Sequence, residues 1–149
     1  MSGRIEGLDE TLEAFSRLGK AGIREGGRAV DATTQKVRTD AIKSIQRGVK
    51  SGRIYERSPG QNLSQTHQAS APGEAPATDT GTLVSSIKAA TKQLNGRVYS
   101  DLKYSFWLEY GTVSMEPRPF LNPALQANKQ YFVDQLTKAV QRATEDFNR

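Results

Sequence analysis

Residues 104–125 of this chain have the sequence YSFWLEYGTVSMEPRPFLNPAL and include its only tryptophan, Trp107. Apolar side chains spaced three and four residues apart precede Gly111, which is the pattern of a short helix ended by a glycine in the left-handed conformation. Two prolines then stiffen an extended strap, and a new helix begins near Phe120 with a third proline in its first turn. A helix end, a rigid strap and a helix start in one segment indicate that the fold is organised around it.

The aromatic residues of this segment are expected to supply much of the hydrophobic core, because large rings bury more apolar area than other side chains. Trp107 and Phe120 are the predicted anchors. A structural role is predicted for Tyr104, Trp107, Leu108, Tyr110, Gly111, Pro117, Pro119, Phe120, Leu121 and Pro123.

Two long amphipathic helices flank the centre of the chain in this prediction. The first runs from about Ile23 to Gly48, with apolar residues recurring at spacings of seven and four. Gly19 and Gly22 are expected to separate it from a shorter N-terminal helix, because glycine disfavours a helix interior. The second long helix covers residues 120–147. The buried side expected for the short N-terminal helix consists of Leu8, Leu12, Phe15 and Leu18.

A β-hairpin is predicted between these helices, because the pair Asn95-Gly96 favours a two-residue turn. Strands at 82–94 and 97–102 would then pair with Ile87 opposite Tyr104. The fold class predicted is therefore α+β: a small antiparallel sheet built on the hairpin, packed against two long amphipathic helices, with a long extended loop at residues 51–79.

The composition limits the classes of protein to which the chain can belong. Its 149 residues suit a single domain, 1–149, and its lack of cysteine excludes disulfides and thiolate metal sites. No apolar run has the length of a membrane span and no signal-peptide pattern is present, so neither membrane contact nor export is expected. The formal net charge of +5 permits contact with DNA or with an acidic partner.

Much of the positive charge lies in one stretch, which we call the basic cluster. Such a stretch most often forms a solvent-exposed outer face. The alternative is that it contacts DNA in a channel or pairs with an acidic surface of a neighbour. The basic cluster consists of Lys43, Arg47, Lys50, Arg53 and Arg57.

No catalytic or cofactor-binding constellation is evident in the sequence. The single histidine, His67, has no second histidine or cysteine with which to bind a metal, and it lies far along the chain from the serines that would need a base. We therefore expect no enzymatic activity, no cofactor and no metal.

A resemblance to a known family enters at this point. The run WLEYGT at 107–112, followed by PRPFLNPAL at 117–125, resembles the signature of a bacteriophage tail-component family. Members are small neck proteins encoded among the head-to-tail joining genes of long-tailed phages. A second stretch, ASAPGEAPATDTGTL at 69–83, resembles the second shared block of the same family.

The resemblance implies a non-enzymatic structural protein of the virion, assembled in the cytoplasm of the bacterial host and located at the neck. It implies a homo-oligomeric ring, sixfold or twelvefold, through which DNA passes. One neighbour would be the portal-side connector or a head-closure protein, and the other a tail terminator or tail tube protein. The alternative hypothesis is a small basic DNA-binding protein that uses the basic cluster, with an affinity that falls steeply with salt.

The resemblance also implies which residues contact other subunits. The loop at 51–79 would act as an arm that reaches over an adjacent subunit. The predicted contact residues are Glu109, Thr112, Glu116 and Arg118 around the strap, and Ile54, Tyr55 and Leu63 on the arm.

Overall fold

The computed structural model describes residues 8–56 and 66–147 of the chain. It confirms the predicted α+β class: helices pack around a two-stranded antiparallel hairpin, and a second, smaller two-stranded ribbon lies in the 51–79 loop. In chain order the elements are α1 Leu8–Arg47, β1 Ile54–Glu56, β2 Thr66–Gln68, α2 Thr82–Ser86, β3 Ile87–Lys92, β4 Asn95–Ser100, α3 Lys103–Tyr110, α4 Leu121–Ala127 and α5 Lys129–Phe147.

Helix α1 is a single helix of 40 residues, so the predicted interruption at Gly19 and Gly22 is wrong. Each glycine costs only about 1 kcal/mol relative to alanine. The helix continues through both positions and packs against α5 and against both strands of the hairpin beyond them. The predicted end near Gly48 is confirmed, because the helix stops at Arg47.

Two further glycines of α1 allow the hairpin to approach the helix closely. A Cβ atom added at Gly26 would lie 3.0 Å from Cδ2 of Leu94, and one added at Gly27 would lie 3.4 Å from the carbonyl oxygen of Gln93. Gln93 and Leu94 form the turn of the hairpin. The turn therefore packs directly against the backbone of α1 at Gly26 and Gly27.

The turn of the hairpin lies two residues earlier than predicted. The strands pair Lys92 with Asn95 and Ala89 with Val98, which makes Gln93-Leu94 the turn instead of Asn95-Gly96. Ile87 lies opposite Ser100 and not opposite Tyr104. The shift is by an even number of residues, so each side chain keeps the face that the alternation predicted. The first strand of the hairpin begins later than predicted, at Ile87, because residues 82–86 form α2.

The reason for the shift is that Gly96 is needed in the strand. A Cβ atom there would lie 2.0 Å from Oγ1 of Thr34 and 3.0 Å from Cγ1 of Val30, both on α1. The glycine thus permits β4 to cross the helix at close range. Gln93 takes the positive φ of 52° that the turn requires, although it is not a glycine.

The second long helix is broken at Asn128, which separates α4 from α5. Asn128 is buried, and its Nδ2 donates to Oδ2 of Asp40 at 2.9 Å and to the carbonyl oxygen of Ala124 at 2.8 Å. α5 then runs antiparallel to α1, since Asp40 contacts its beginning and Arg24 pairs with Asp146 near its end.

The hydrophobic core lies where the C-terminal half of α1 meets α2, the start of β3, and α4. The predicted apolar face of the first long helix is confirmed in its middle but not at its start, where Ile23 is exposed. The core cluster consists of Val37, Ala41, Ile45, Leu83, Ile87, Phe120 and Ala124.

We expect Gly96→Ala to destabilise the fold by about 1–3 kcal/mol, because the added methyl overlaps the Thr34 side chain. Urea unfolding measures this change. The matched control is Gly22→Ala, where nothing lies within 4 Å of the added methyl. That variant should gain up to about 1 kcal/mol from helix propensity. Equal effects of the two substitutions would contradict the close approach of β4 to α1.

Candidate functional site

The carboxylate of Glu109 caps the N-terminus of α4. Its Oε2 accepts hydrogen bonds from the backbone N–H groups of Phe120 at 2.9 Å and Leu121 at 3.0 Å, and its Oε1 accepts from Asn122 at 2.7 Å. The first N–H groups of a helix have no acceptor within the helix, and a negative charge there also suits the helix dipole. Glu109 is buried, with 8% of its surface exposed. The prediction that it contacts another subunit is therefore wrong.

The strap between α3 and α4 is held to the rest of the fold mainly through its backbone. Gly111 ends α3 with a φ of 78°, as predicted, and its N–H donates to the carbonyl oxygen of Trp107 at 2.8 Å. The N–H of Arg118 donates to the carbonyl oxygen of Leu108 at 2.7 Å. These bonds hold the strap alongside α3. The strap leads directly into Phe120, which is buried in the core.

The strap also joins the two stretches that carry the family resemblance. The carbonyl oxygen of Pro117 accepts from the N–H of Gly73 at 2.9 Å, and Nε of Arg118 donates to the carbonyl oxygen of Ser70 at 3.2 Å. Arg118 is thus engaged within the chain through one of the five N–H groups of its guanidinium, and the subunit contact expected for it stays a prediction. Thr112 and Glu116, on the tight turn beside the strap, are exposed.

Most aromatic residues of this segment lie on the surface, contrary to the prediction. Trp107 is 51% exposed, and Tyr104, Phe106 and Tyr110 are exposed as well, whereas Phe120 is 1% exposed. The buried residues of α3 are instead Ser105 and Glu109, which accept or donate hydrogen bonds to neighbouring backbone. A short helix presents one narrow face to the core, and these two residues occupy it. Phe120 is confirmed as a core anchor and Trp107 is not.

An open apolar groove lies beside α3, with a volume of about 980 Å³. Its floor is formed by Val30 and Val37 of α1. We call it the apolar groove, and its walls come from β4, α3 and the α4–α5 region. The apolar side chains on these walls are Val98, Leu102, Phe106, Tyr110, Leu121 and Leu125.

The buried polar residues of the apolar groove are already bonded within the chain. Ser105 donates to the carbonyl oxygen of Leu102, Glu109 caps α4, and Asn128 donates to Asp40. No convergent polar group among them is left to orient a small polar ligand. The groove therefore favours an apolar partner.

The rim of the apolar groove is positively charged. Arg97, Lys103 and Lys129 line it and are exposed. The one acidic residue on the exposed rim, Asp101, is paired with Lys88 of β3. A partner with acidic residues beside an apolar face would match this arrangement.

The predicted extended loop at 51–79 contains an exposed two-stranded ribbon. β1 and β2 pair with Tyr55 opposite His67, and both Ile54 and Tyr55 are at least half exposed. Exposed apolar residues on a projecting ribbon are available to a partner. The predicted contact Leu63 lies outside the described residues, as does Arg57 of the basic cluster.

The base of this ribbon is fixed by Glu74. Its carboxylate accepts hydrogen bonds from the Ser51 hydroxyl at 2.5 Å and from the N–H groups of Ala71 and Ser51, both at 2.9 Å. The Ser51 hydroxyl and then these N–H groups lower the pKa of the Glu74 carboxyl. The ribbon therefore starts from a defined point on the fold.

The residues of the basic cluster differ in their exposure to solvent. Lys43 and Arg47 are exposed on α1, and Arg53 is exposed and lies over the ring of Tyr55, at 5.5 Å. Lys50 is partly buried, and its Nζ donates to the carbonyl oxygen of Ala75 at 2.7 Å, so its ammonium group is engaged within the chain. This burial lowers the pKa of Lys50.

Sequence reasoning missed a buried carboxylate between α1 and α5. Glu25 is 2% exposed and lies 3.1 Å from Arg24, 2.6 Å from Arg28 and 3.6 Å from Arg142. The hydrogen bond from Arg24 lowers the pKa of Glu25, although burial opposes it. The sequence contains an indication of this burial, because Glu25 lies four residues from both Ala21 and Ala29 and therefore shares a helix face with these small apolar residues. It fixes the pairing of the two helices.

We expect Glu109→Gln to destabilise the fold by about 1–3 kcal/mol, because an amide cannot accept three N–H groups and leaves a helix start unsatisfied. Urea unfolding of the purified protein measures the change. Glu116→Gln is the matched control, since Glu116 is exposed, and it should stay within about 0.5 kcal/mol of the parent. Indistinguishable losses in the two variants would argue against the cap.

The Glu74 carboxylate should make stability depend on pH. Its pKa is lowered on folding, so its contribution is complete above the ordinary glutamate pKa of about 4.3. That contribution is lost as the pH falls through the lower folded value. The difference in unfolding free energy between the parent and Glu74→Gln should shrink across this acidic range. Glu145→Gln, at an exposed position of α5, is the matched control for the loss of one carboxylate charge. A flat difference for Glu74→Gln would contradict the anchoring role.

Within residues 8–56 and 66–147, no group of three or more His, Cys, Asp or Glu side chains is arranged to hold a metal ion. Among the same residues, no helix is both long enough and apolar enough to cross a membrane. The chain matches no protein-family model, no curated protein and no solved structure.

Proposed function

We propose that this chain is a non-enzymatic structural protein of the virion of a long-tailed phage, located at the neck between head and tail. The observation that carries the proposal is the contact between the two stretches of family resemblance. Pro117 and Arg118 of the first stretch bond to Gly73 and Ser70 of the second. Residues distant in sequence that resemble one family thus form one structural unit, as a shared architecture requires.

The surface around this unit supports an assembly role. Trp107, Phe106 and Tyr110 are exposed on α3, and the apolar groove lies open beside them. Contiguous apolar surface of this kind marks sites of protein–protein contact, because leaving it in water is unfavourable. In the proposed neck it would contact other copies in a sixfold or twelvefold ring.

The proposed partners lie above and below this ring. A portal-side connector or head-closure protein would lie on the head side, and a tail terminator or tail tube protein on the tail side. Assembly would take place in the host cytoplasm, and the finished ring would remain in the virion. Thr112, Glu116, Ile54 and Tyr55 are exposed and stay as predicted contact residues.

Contact with DNA belongs to this proposal only as a non-specific interaction in the channel. Lys43, Arg47 and Arg53 are the exposed cations of the described basic cluster. The alternative of a dedicated DNA-binding protein loses support, because Lys50 bonds to Ala75 and to Ser44 within the chain. With Lys50 bonded within the chain, the basic cluster provides fewer phosphate contacts than the row that the sequence predicted.

The proposal is tested in a lysate of phage that lacks this gene. Electron microscopy should show filled heads apart from finished tails, and addition of the purified protein should restore joined, infectious particles. Buffer without protein is the control. Normal infectious particles in the mutant lysate would overturn the proposed function.

A further inference from the structure

The N-terminal end of α1 extends beyond the rest of the described fold. α5 ends beside Arg24, which pairs with Asp146, and Ala21 is the first buried residue of α1 from position 13 onward. No residue of 13–20 is buried, and Phe15 is 65% exposed. The segment 8–20 therefore forms about 20 Å of helix, at about 1.5 Å per residue, that projects from the domain.

We propose that this projecting end, residues 8–20 of α1, docks into the apolar groove of a second copy of the chain. The proposal rests on the proposed function, since it names the contact that would hold one subunit of the ring to the next. Helix-in-groove binding places residues at spacings of three and four against an apolar surface. Phe15 and Leu18 have that spacing in the projecting segment.

The shape and lining of the apolar groove suit a helix better than a small ligand. Its volume of about 980 Å³ lies at the upper end of small-molecule sites, which span about 300–1,000 Å³. The groove is open along one side, and its buried polar residues Ser105, Glu109 and Asn128 are bonded within the chain. An amphipathic helix needs only the apolar walls.

Charge complementarity favours the projecting helix as the occupant. The rim carries Arg97, Lys103 and Lys129. The segment 8–20 carries three acidic residues in its first two turns against two basic residues further along, so its acidic end is opposite in sign to the rim. Next to its apolar residues the ribbon carries one basic and one acidic residue, Arg53 and Glu56, so it offers the positive rim no net negative charge. The acidic residues in those first turns of α1 are Asp9, Glu10 and Glu13.

The occupant of the groove must come from another copy. The groove is floored by Val30 and Val37 of the same helix α1, and a continuous helix cannot fold back onto its own middle. A contact between the end of one copy and the groove of the next is head-to-tail. Repeated head-to-tail contacts generate a closed ring when the rotation between copies closes.

Apolar substitutions test the contact through the mass of the assembly, measured by sedimentation as a function of concentration. Phe15→Asp should raise the concentration needed for assembly at least tenfold, while its melting temperature stays near that of the parent because Phe15 is exposed. The matched control is Val140→Asp, at an exposed position of α5 outside the groove lining, and it should assemble like the parent. Equal assembly of Phe15→Asp and the parent, or a parent that stays monomeric, would overturn the contact.

Cross-linking locates the contact directly, because the chain has no native cysteine. The double variant Phe15→Cys with Leu125→Cys, treated with a short bis-maleimide, should give a ladder of multimers. Phe15→Cys with Val140→Cys should give dimers at background level. A ladder that instead needs Ile54→Cys with Leu125→Cys would place the ribbon in the groove and overturn the proposal.

The lysate assay separates this contact from the proposed function. Parent protein that assembles through the contact but fails to join heads to tails would overturn the function and leave the contact in place. Phe15→Asp protein that joins heads to tails as well as the parent does would overturn the contact and leave the function in place.

Discussion

The arrangement of α3, the strap and α4 depends on the buried carboxylate of Glu109. A charged group removed from water is costly unless it is fully hydrogen-bonded. Here three N–H groups at the start of α4 satisfy it, and it satisfies them in return. Because the bonds join α3 to α4 across the strap, they fix where Phe120 enters the core. The apolar groove beside α3 follows from that placement, since α3 forms one of its walls and α4 begins another.

Much of the fold could be predicted from local patterns whose cause is also local. The α+β class, the end of α3 at Gly111 and the end of α1 near Gly48 follow from periodicity and glycine stops, and the structure confirms them. Two of the predictions that failed concern a glycine and an asparagine with tertiary roles. Gly96 serves the approach of β4 to Thr34, and Asn128 breaks a periodic helix to bond with Asp40. Neither partner is adjacent in sequence, so no local pattern indicates the contact.

The candidate site was less predictable than the fold. The fold is organised around α1, which packs against α4, α5 and both strands of the hairpin, and not around segment 104–125. The aromatic residues of that segment were assigned to the core, where hydrophobicity alone would place them. The core face of α3 is taken by Ser105 and Glu109, which leaves Trp107 and its neighbours outside. The apolar groove is formed by elements that are far apart in the chain. The groove can therefore be recognised only once these elements are packed together. The same holds for the hydrogen bond that Lys50 donates to Ala75 within the fold.

The uninterrupted length of α1 has a mechanical consequence. Its middle forms the core around Val37 and Ala41, its central glycines support the hairpin turn, and its first turns extend outside the domain. One continuous helix thus connects the exposed end of α1 with the hydrophobic core. A pull on its exposed end is carried along a continuous ladder of backbone hydrogen bonds and shared with α5 through the ion pairs of Glu25. A load applied to that end would therefore reach the core through α1 without passing through a loop.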